Sequence, residues 1–213
     1  MRILFTRHGE SDANIHHIIS NRNLPHHLTQ KGISQAILLA ETLIDSYQVK
    51  MIGASPIPRA QETAIIVAEM LGLSFTTYPA LREFDCGEME GRCDEVAWAA
   101  HHGVIQAWDQ DHDFDQYILP DGESYNDLKQ RFLPFLASLI ENTRELSGDV
   151  LLISHGGILH QVLPILITNI NRVYTKQHPL GNCELVVTHV QNGQLLCVSW
   201  AGEKVSSPSK EEI

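Results

Sequence analysis

Apolar residues follow two rhythms along the chain. Short apolar runs at residues 1–5, 49–54, 74–78 and 150–153 read as buried strands. Between them, apolar positions recur every three or four residues, as in Ile33, Ala36, Ile37, Ala40, Leu43 and Ile44, which marks helices with one apolar face. Thr29 reads as the N-cap of that first long helix, Pro58 sits in the first turn of a second, and Gly72 ends it. A third long helix is predicted over 123–142, with Leu128, Phe132, Phe135, Leu136 and Leu139 turned to the core and a kink at Pro134. Residues 93–108 are expected to be helical on a weak pattern, and 12–25 to be a loop with one helical turn. Residues 181–189 and 194–200 flank Asn192-Gly193, the signature of a hairpin with a primed turn. Alternating strands and helices predict an α/β fold with a mostly parallel central sheet that ends in antiparallel pairing.

A chain of 213 residues accommodates one sizeable α/β unit, placed at 1–202, with 203–213 as a polar, flexible tail. The net charge of −11, with only 15 Lys and Arg, argues against a general nucleic-acid binder. No run is long enough for a membrane span, and no basic segment precedes an apolar leader, so a cytoplasmic protein is expected. Cys86, Cys93, Cys183 and Cys197 form no C-x-x-C pair and fit free thiols in a reducing compartment. Oligomeric state is left open.

The chemistry gathers where the strands end. The first run enters Thr6-Arg7-His8-Gly9-Glu10-Ser11 and the last enters Ser154-His155-Gly156-Gly157. Between them, Ser55-Pro56-Ile57-Pro58-Arg59 follows the second run, and Leu81-Arg82-Glu83 follows the third. Strand C-termini of a parallel sheet share one edge, where ligands collect. That edge would carry two imidazoles (His8, His155), two guanidiniums (Arg7, Arg59) and one carboxylate (Glu83), a set suited to a phosphate monoester. Any one of these residues alone is more readily a structural histidine or a surface ion pair. Together, in this order, they are not.

These pieces, with Ala60 and Thr63-Ala64 behind Arg59, and Gly87 and Glu90-Gly91 after Glu83, resemble the histidine phosphatase superfamily in its phosphoglycerate-mutase-like branch, over roughly residues 1–200. The resemblance implies a three-layer α/β/α sandwich and a phosphoryl group carried on His8. In that scheme Arg7, Arg59 and His155 hold the phosphate oxygens, helped by the helix start at Gly156 and Gly157, and a carboxylate protonates the leaving oxygen. Glu83 is the carboxylate that the family pattern designates, with Glu88 and then Asp85 as rivals. Ser11, Asn14, Ser55 and Asn182 are further implied contacts to phosphate or substrate, although Ser55 and Asn14 serve equally well as turn and cap residues.

The expected activity is hydrolysis of a small phosphorylated metabolite or other monoester without metal or cofactor. A mutase that returns the phosphoryl group to its substrate is the main alternative. The Glu83 to His155 interval is short for the family's mutases, and Asp12-Ala13-Asn14 stands where they carry Trp-Asn. An inactive phosphate-binding module and a metal-dependent hydrolase complete the alternatives. The twelve histidines include the doublets His16-His17, His26-His27 and His101-His102, but neighbouring side chains diverge and no H-x-x-x-H helix occurs, so no metal site is expected. Residues 12–27 and 92–122 are expected to line the mouth, where Trp98 and Trp108 can stack on a ring, although both are expected mainly as core anchors of their helix.

Overall fold

A computed structural model describes residues 1–22, 24–111 and 121–205. Seven strands form one sheet in the order β3-β2-β4-β1-β5-β6-β7. They are β1 (Arg2–Arg7), β2 (Val49–Ala54), β3 (Phe75–Thr77), β4 (Asp149–Ser154), β5 (Leu185–Gln191), β6 (Gln194–Trp200) and β7 (Glu203–Lys204). The β3, β2, β4 and β1 neighbours are parallel, and β5, β6 and β7 add antiparallel pairs beyond β1. The antiparallel portion is therefore larger than a single strand.

Seven helices complete the described chain: α1 (Asp12–Ile15), α2 (Gln30–Ser46), α3 (Pro58–Leu71), α4 (Glu95–Gln106), α5 (Tyr125–Asn142), α6 (Gly156–Leu166) and α7 (Arg172–Gln177). Alternation along the strands sorts the core into two layers. Ile3, Phe5, Val150 and Leu152 pack with α5 and α6 on one face. Leu4, Leu151 and Ile153 pack with α2 and α3 on the other. The sheet thus lies between two helical layers, as the resemblance implied.

Local signals act where the sequence placed them. The Thr29 hydroxyl accepts the Gly32 N–H to cap α2, Pro58 opens α3, and Gly72 closes it at φ 66°. Asn192 and Gly193 both take positive φ in the β5–β6 turn, as a primed hairpin turn requires. Phe135 is only half-buried, while Leu128, Phe132, Leu136 and Leu139 are buried. The pattern gave no notice of α7 or of the 3₁₀ turns Pro79–Leu81 and Gly87–Met89. Of the acidic stretch 109–120 only its start is described, where a π turn (Ala107–Asp111) continues α4. The expected tail from residue 206 onward also lies outside the described residues.

A third cluster, separate from the sheet, gathers Phe84, Met89, Ala97, Val104, Trp108, Tyr125 and Leu128. It fastens α4 above the C-terminal edge of the parallel strands and so walls one side of a cleft there.

Candidate active site

Register brings the two histidines together. Arg7 pairs with Ser154 in the β1–β4 ladder, and the His8 N–H donates to the Ser154 carbonyl at 3.0 Å. One residue past each strand end, the His8 and His155 rings lie with centroids 5.1 Å apart. Both side chains are buried; His8 helps to line a cleft of about 560 Å³ together with Arg7, Arg59, Glu83, Gly156 and Gly157, and His155 packs against the His8 ring outside that lining.

The hydrogen bonds of His8 fix its tautomer. Nδ1 lies 2.6 Å from the Gly9 carbonyl, which only accepts, so Nδ1 carries the proton. Nε2 is then the lone-pair nitrogen, and it accepts from Arg59 Nε at 2.8 Å. Burial first, and then the positive charges of Arg59 and Arg7, hold this imidazole well below its ordinary range. A neutral histidine with a fixed, oriented lone pair results.

Arg59 is itself buried in the first turn of α3, and burial lowers its guanidinium to about 10. Its second contact is NH1 to Ser20 Oγ at 3.4 Å. Arg7 reaches the Leu180 carbonyl through NH1 at 3.3 Å, and its buried Nε has no partner. Burial lowers its guanidinium too, against the opposing charges of Glu83 and Glu184.

His155 has a different anchor. Nε2 and Ser55 Oγ are 2.7 Å apart, and the same Oγ accepts the Ile57 N–H at 3.3 Å. Ser55 Oγ has a second lone pair beside the one that Ile57 uses, so either partner can donate in this contact, while Nδ1 of His155 is a buried atom without a partner. Burial, then Arg59, His8 and Arg7, depress its pKa far below the usual value.

Glu83 occupies the N-terminus of α6. Its Oε1 accepts from Ile158 N at 2.6 Å and Phe84 N at 3.1 Å, and Oε2 accepts from Gly157 N at 2.8 Å. The anion favoured by this helix start is thus the protein's own carboxylate, and the Gly157 N–H expected to meet phosphate is committed to Glu83. Burial raises the Glu83 pKa and outweighs these N–H bonds and Arg59, all of which lower it. Residue 157 has to be glycine: a Cβ there would stand 2.6 Å from the Phe84 ring and 2.9 Å from both Glu83 oxygens. Of the two rivals, Glu88 is exposed and lines no part of the cleft. Asp85 is held by Arg22 at 2.9 Å and by the Gly87 N–H.

The smaller polar residues divide. Asn14 lines the cleft while its Oδ1 accepts from Ser11 N and Ser11 Oγ in a capping box on α1. Ser11 is buried behind it and lines nothing. Asn182 Nδ2 donates to the His8 carbonyl at 2.8 Å and also stands outside the lining, so it braces the loop of the histidine instead of facing the cleft. Short polar side chains beside strand ends satisfy nearby backbone first.

The opposite wall comes from the stretch 92–122 expected at the mouth, although which of its side chains face the cleft was not legible. Trp108, in the π turn after α4, is a core anchor as expected, but Trp98, ten residues earlier in the first turn of α4, lines the cleft with His101, His102 and Ile105. From α6, His160 and Gln161 join them. The i, i+3, i+4 spacing of Trp98, His101 and His102 was the available signal. Among the described residues, no group of three or more His, Cys, Asp or Glu side chains converges as metal ligands would.

Comparison with known proteins places this geometry. Residues 3–202 match the model of the histidine phosphatase superfamily (branch 1). An adenosylcobalamin/alpha-ribazole phosphatase of Escherichia coli K12 is 32% identical over 168 residues, 78% of this chain and 79% of that protein. A probable phosphoglycerate mutase GpmB of Yersinia pestis (strain Pestoides F) is 29% identical over 211 residues, 95% of this chain and 91% of its own. The structure of the mycobacterial glucosyl-3-phosphoglycerate phosphatase Rv2419c with VO3 superposes with a TM-score of 0.78 at 25% identity, covering 94% of this chain and 98% of that one.

Proposed function

Because the chain belongs to branch 1 of the histidine phosphatase superfamily, we propose that it is a metal-independent phosphomonoesterase that hydrolyses a small phosphorylated metabolite through a phosphohistidine on His8. The observation that carries this reading is the state of His8: neutral, its Nδ1 proton tied to Gly9, its Nε2 lone pair directed at a buried guanidinium.

In this reading an arriving phosphate oxygen replaces Nε2 as the acceptor of Arg59 Nε, which frees the lone pair and turns Arg59 into an oxygen clamp. Arg7, through its unpartnered Nε, and His155, through Nδ1 in the tautomer that carries its proton there, hold further oxygens. Nε2 attacks phosphorus in line, the P–N bond forms as the P–O bond to the alcohol breaks, and Glu83 gives its proton to the departing oxygen. The spare lone pair of Oε2 is the place for that proton, since Oε2 accepts one N–H where Oε1 accepts two. Water then attacks the phosphohistidine, Glu83 takes back a proton, and inorganic phosphate leaves.

Relatives named as phosphatases support hydrolysis. The relative named a probable mutase matches nearly the whole chain and makes phosphoryl return to substrate the second reading. Among the described residues no helix is long and apolar enough to cross a membrane. Four free cysteines fit work in a reducing cytoplasm.

The test follows inorganic phosphate released from a monoester by wild type and by His8→Ala, with and without chelator, while acid-quenched protein is assayed for phosphohistidine. Release that survives chelation, a trapped phosphohistidine, and loss of both in the variant are expected. Phosphohistidine whose group returns to the alcohol without net phosphate release moves the assignment to a mutase. Chelator-sensitive turnover, or turnover untouched by the substitution, overturns the mechanism.

A further inference from the structure

Building on the phosphatase reading, we infer that the half of the cleft away from His8 is a subsite for a planar, uncharged ring carrying a hydrogen-bond acceptor, borne by the alcohol that leaves. Its wall is made of rings. Phe84 and His101 stack with centroids 5.5 Å apart and an interplanar angle of 23°, and Trp98 meets His101 edge-on at 5.0 Å. Ile105 lies on the same face of α4. His101 adds no charge at neutral pH, since burial takes it down to about 4.

Among the described residues no Lys or Arg lines this end, for a reason written into the chain. The two guanidiniums among the described lining residues, Arg7 and Arg59, gather at His8. The whole stretch 93–128, which supplies α4, contains no Lys or Arg and nine Asp and Glu residues. The nearest cation, Arg172 behind Gln161, stands outside the lining and is ion-paired with Asp109 at 3.0 Å, so an alcohol bearing a carboxylate or a second phosphate would meet no free cation there among the described residues. An uncharged ring meets surfaces of its own kind.

One polar group then asks for a partner. Gln161 is 1% exposed, and its Oε1 faces Arg172 NH1 at 3.4 Å. A guanidinium only donates, so the amide is turned with Nε2 away from it. That Nε2 is buried without an acceptor on a residue that lines the cleft. A ring nitrogen or carbonyl on the leaving alcohol would satisfy it.

The experiment compares alkyl monoesters of similar leaving-group basicity: ethyl phosphate, 2-naphthylethyl phosphate, 2-quinolinylethyl phosphate and phosphoserine. We expect kcat/KM for the quinoline ester to exceed that for ethyl phosphate by about 100-fold, with the naphthyl ester between them and phosphoserine no better than ethyl phosphate. Trp98→Leu should lower the quinoline ester about tenfold, through KM, and leave ethyl phosphate within about twofold. Ile105→Lys, a second and independent variant, should raise phosphoserine relative to the ring esters. A wild type blind to the ring, or variants that lower all four esters alike, overturns the subsite while leaving the phosphatase reading intact. If no ester is hydrolysed and no phosphohistidine forms, it is the phosphatase reading that fails. Calorimetric titration of His8→Ala with the quinoline and ethyl esters then decides the subsite: tighter binding of the ring ester by about tenfold or more supports it, and equal binding ends it.

Discussion

The two ends of the cleft are held by different parts of the molecule. At the His8 end, groups fastened to the central sheet hold one another: Arg59 on His8, Ser55 on His155, three backbone N–H groups on Glu83. At the far end, rings on α4 rest on a satellite cluster that shares no residue with the two cores flanking the sheet. On the proposed reading, chemistry is thereby set by register within the sheet, and selectivity by an element that can change without disturbing that register. The fold can keep one reaction while exchanging its substrates.

The largest effect expected from breaking the sheet-borne end comes from His8→Ala. Turnover should fall by about four orders of magnitude or more, since no other group of the site presents an oriented lone pair for covalent capture, and stopped assays of phosphate release check this. Glu83→Gln should follow, lowering kcat by about 100- to 1,000-fold for alkyl esters and far less for aryl esters, whose oxygens leave unprotonated. The raised Glu83 pKa gives this a pH signature: acid activity persists while the carboxyl stays protonated and declines as pH rises through its folded pKa. That declining limb should vanish from the pH–rate profile of the variant.

Gly157→Ala asks how little slack this end has. The added methyl collides with Phe84 and Glu83, so a loss of about 1–3 kcal/mol in urea denaturation is expected together with a drop in kcat. A comparable methyl on the exposed side of α4, at Gly103, meets nothing within 4 Å and should leave the denaturation midpoint unchanged or slightly higher.

The smallest effect is acid sensitivity shared between both ends. His8 and His155 at one end and His101 at the other have pKa values held down in the folded state. Their unfolded forms take up protons below about pH 6.5, so stability present above that pH is lost as pH falls toward the folded values. Each contributes a slope of up to about 1.4 kcal/mol per pH unit. His101→Phe should make the decline between about pH 6.5 and 5 shallower without altering the activity-limiting histidines, as urea midpoints across that range would record.

The sheet-borne end was also the legible one. Apolar runs closed by Arg7-His8 and Ser154-His155 announce buried strands with polar ends, and parallel pairing then brings the ends together whatever their separation in sequence. What single residues grip was less legible, because it depends on directions that spacing does not encode. Asn182 turned to the His8 carbonyl, and the Gly157 N–H turned to Glu83, each away from the phosphate expected there. Residues 92–122 were legible as part of the mouth, but which face of α4 lines it was obscure, because its residues pack on a cluster outside the main core, which blurs the apolar stripe by which a helix is recognised. Trp98 reads as an anchor until Trp108 is seen to fill that role.

The place of β1 in the sheet has a consequence for how the chain comes to life. Strand β1 lies between β4 and β5, contributed by residues 149–154 and 185–191, so it precedes both of its neighbours along the chain. On a ribosome moving at about 5–20 residues per second, that strand waits on the order of 10–40 s before both neighbours exist. Until β4 emerges His8 is joined to a segment with two open edges, and residues 149–191 decide whether β1 takes its place in the sheet.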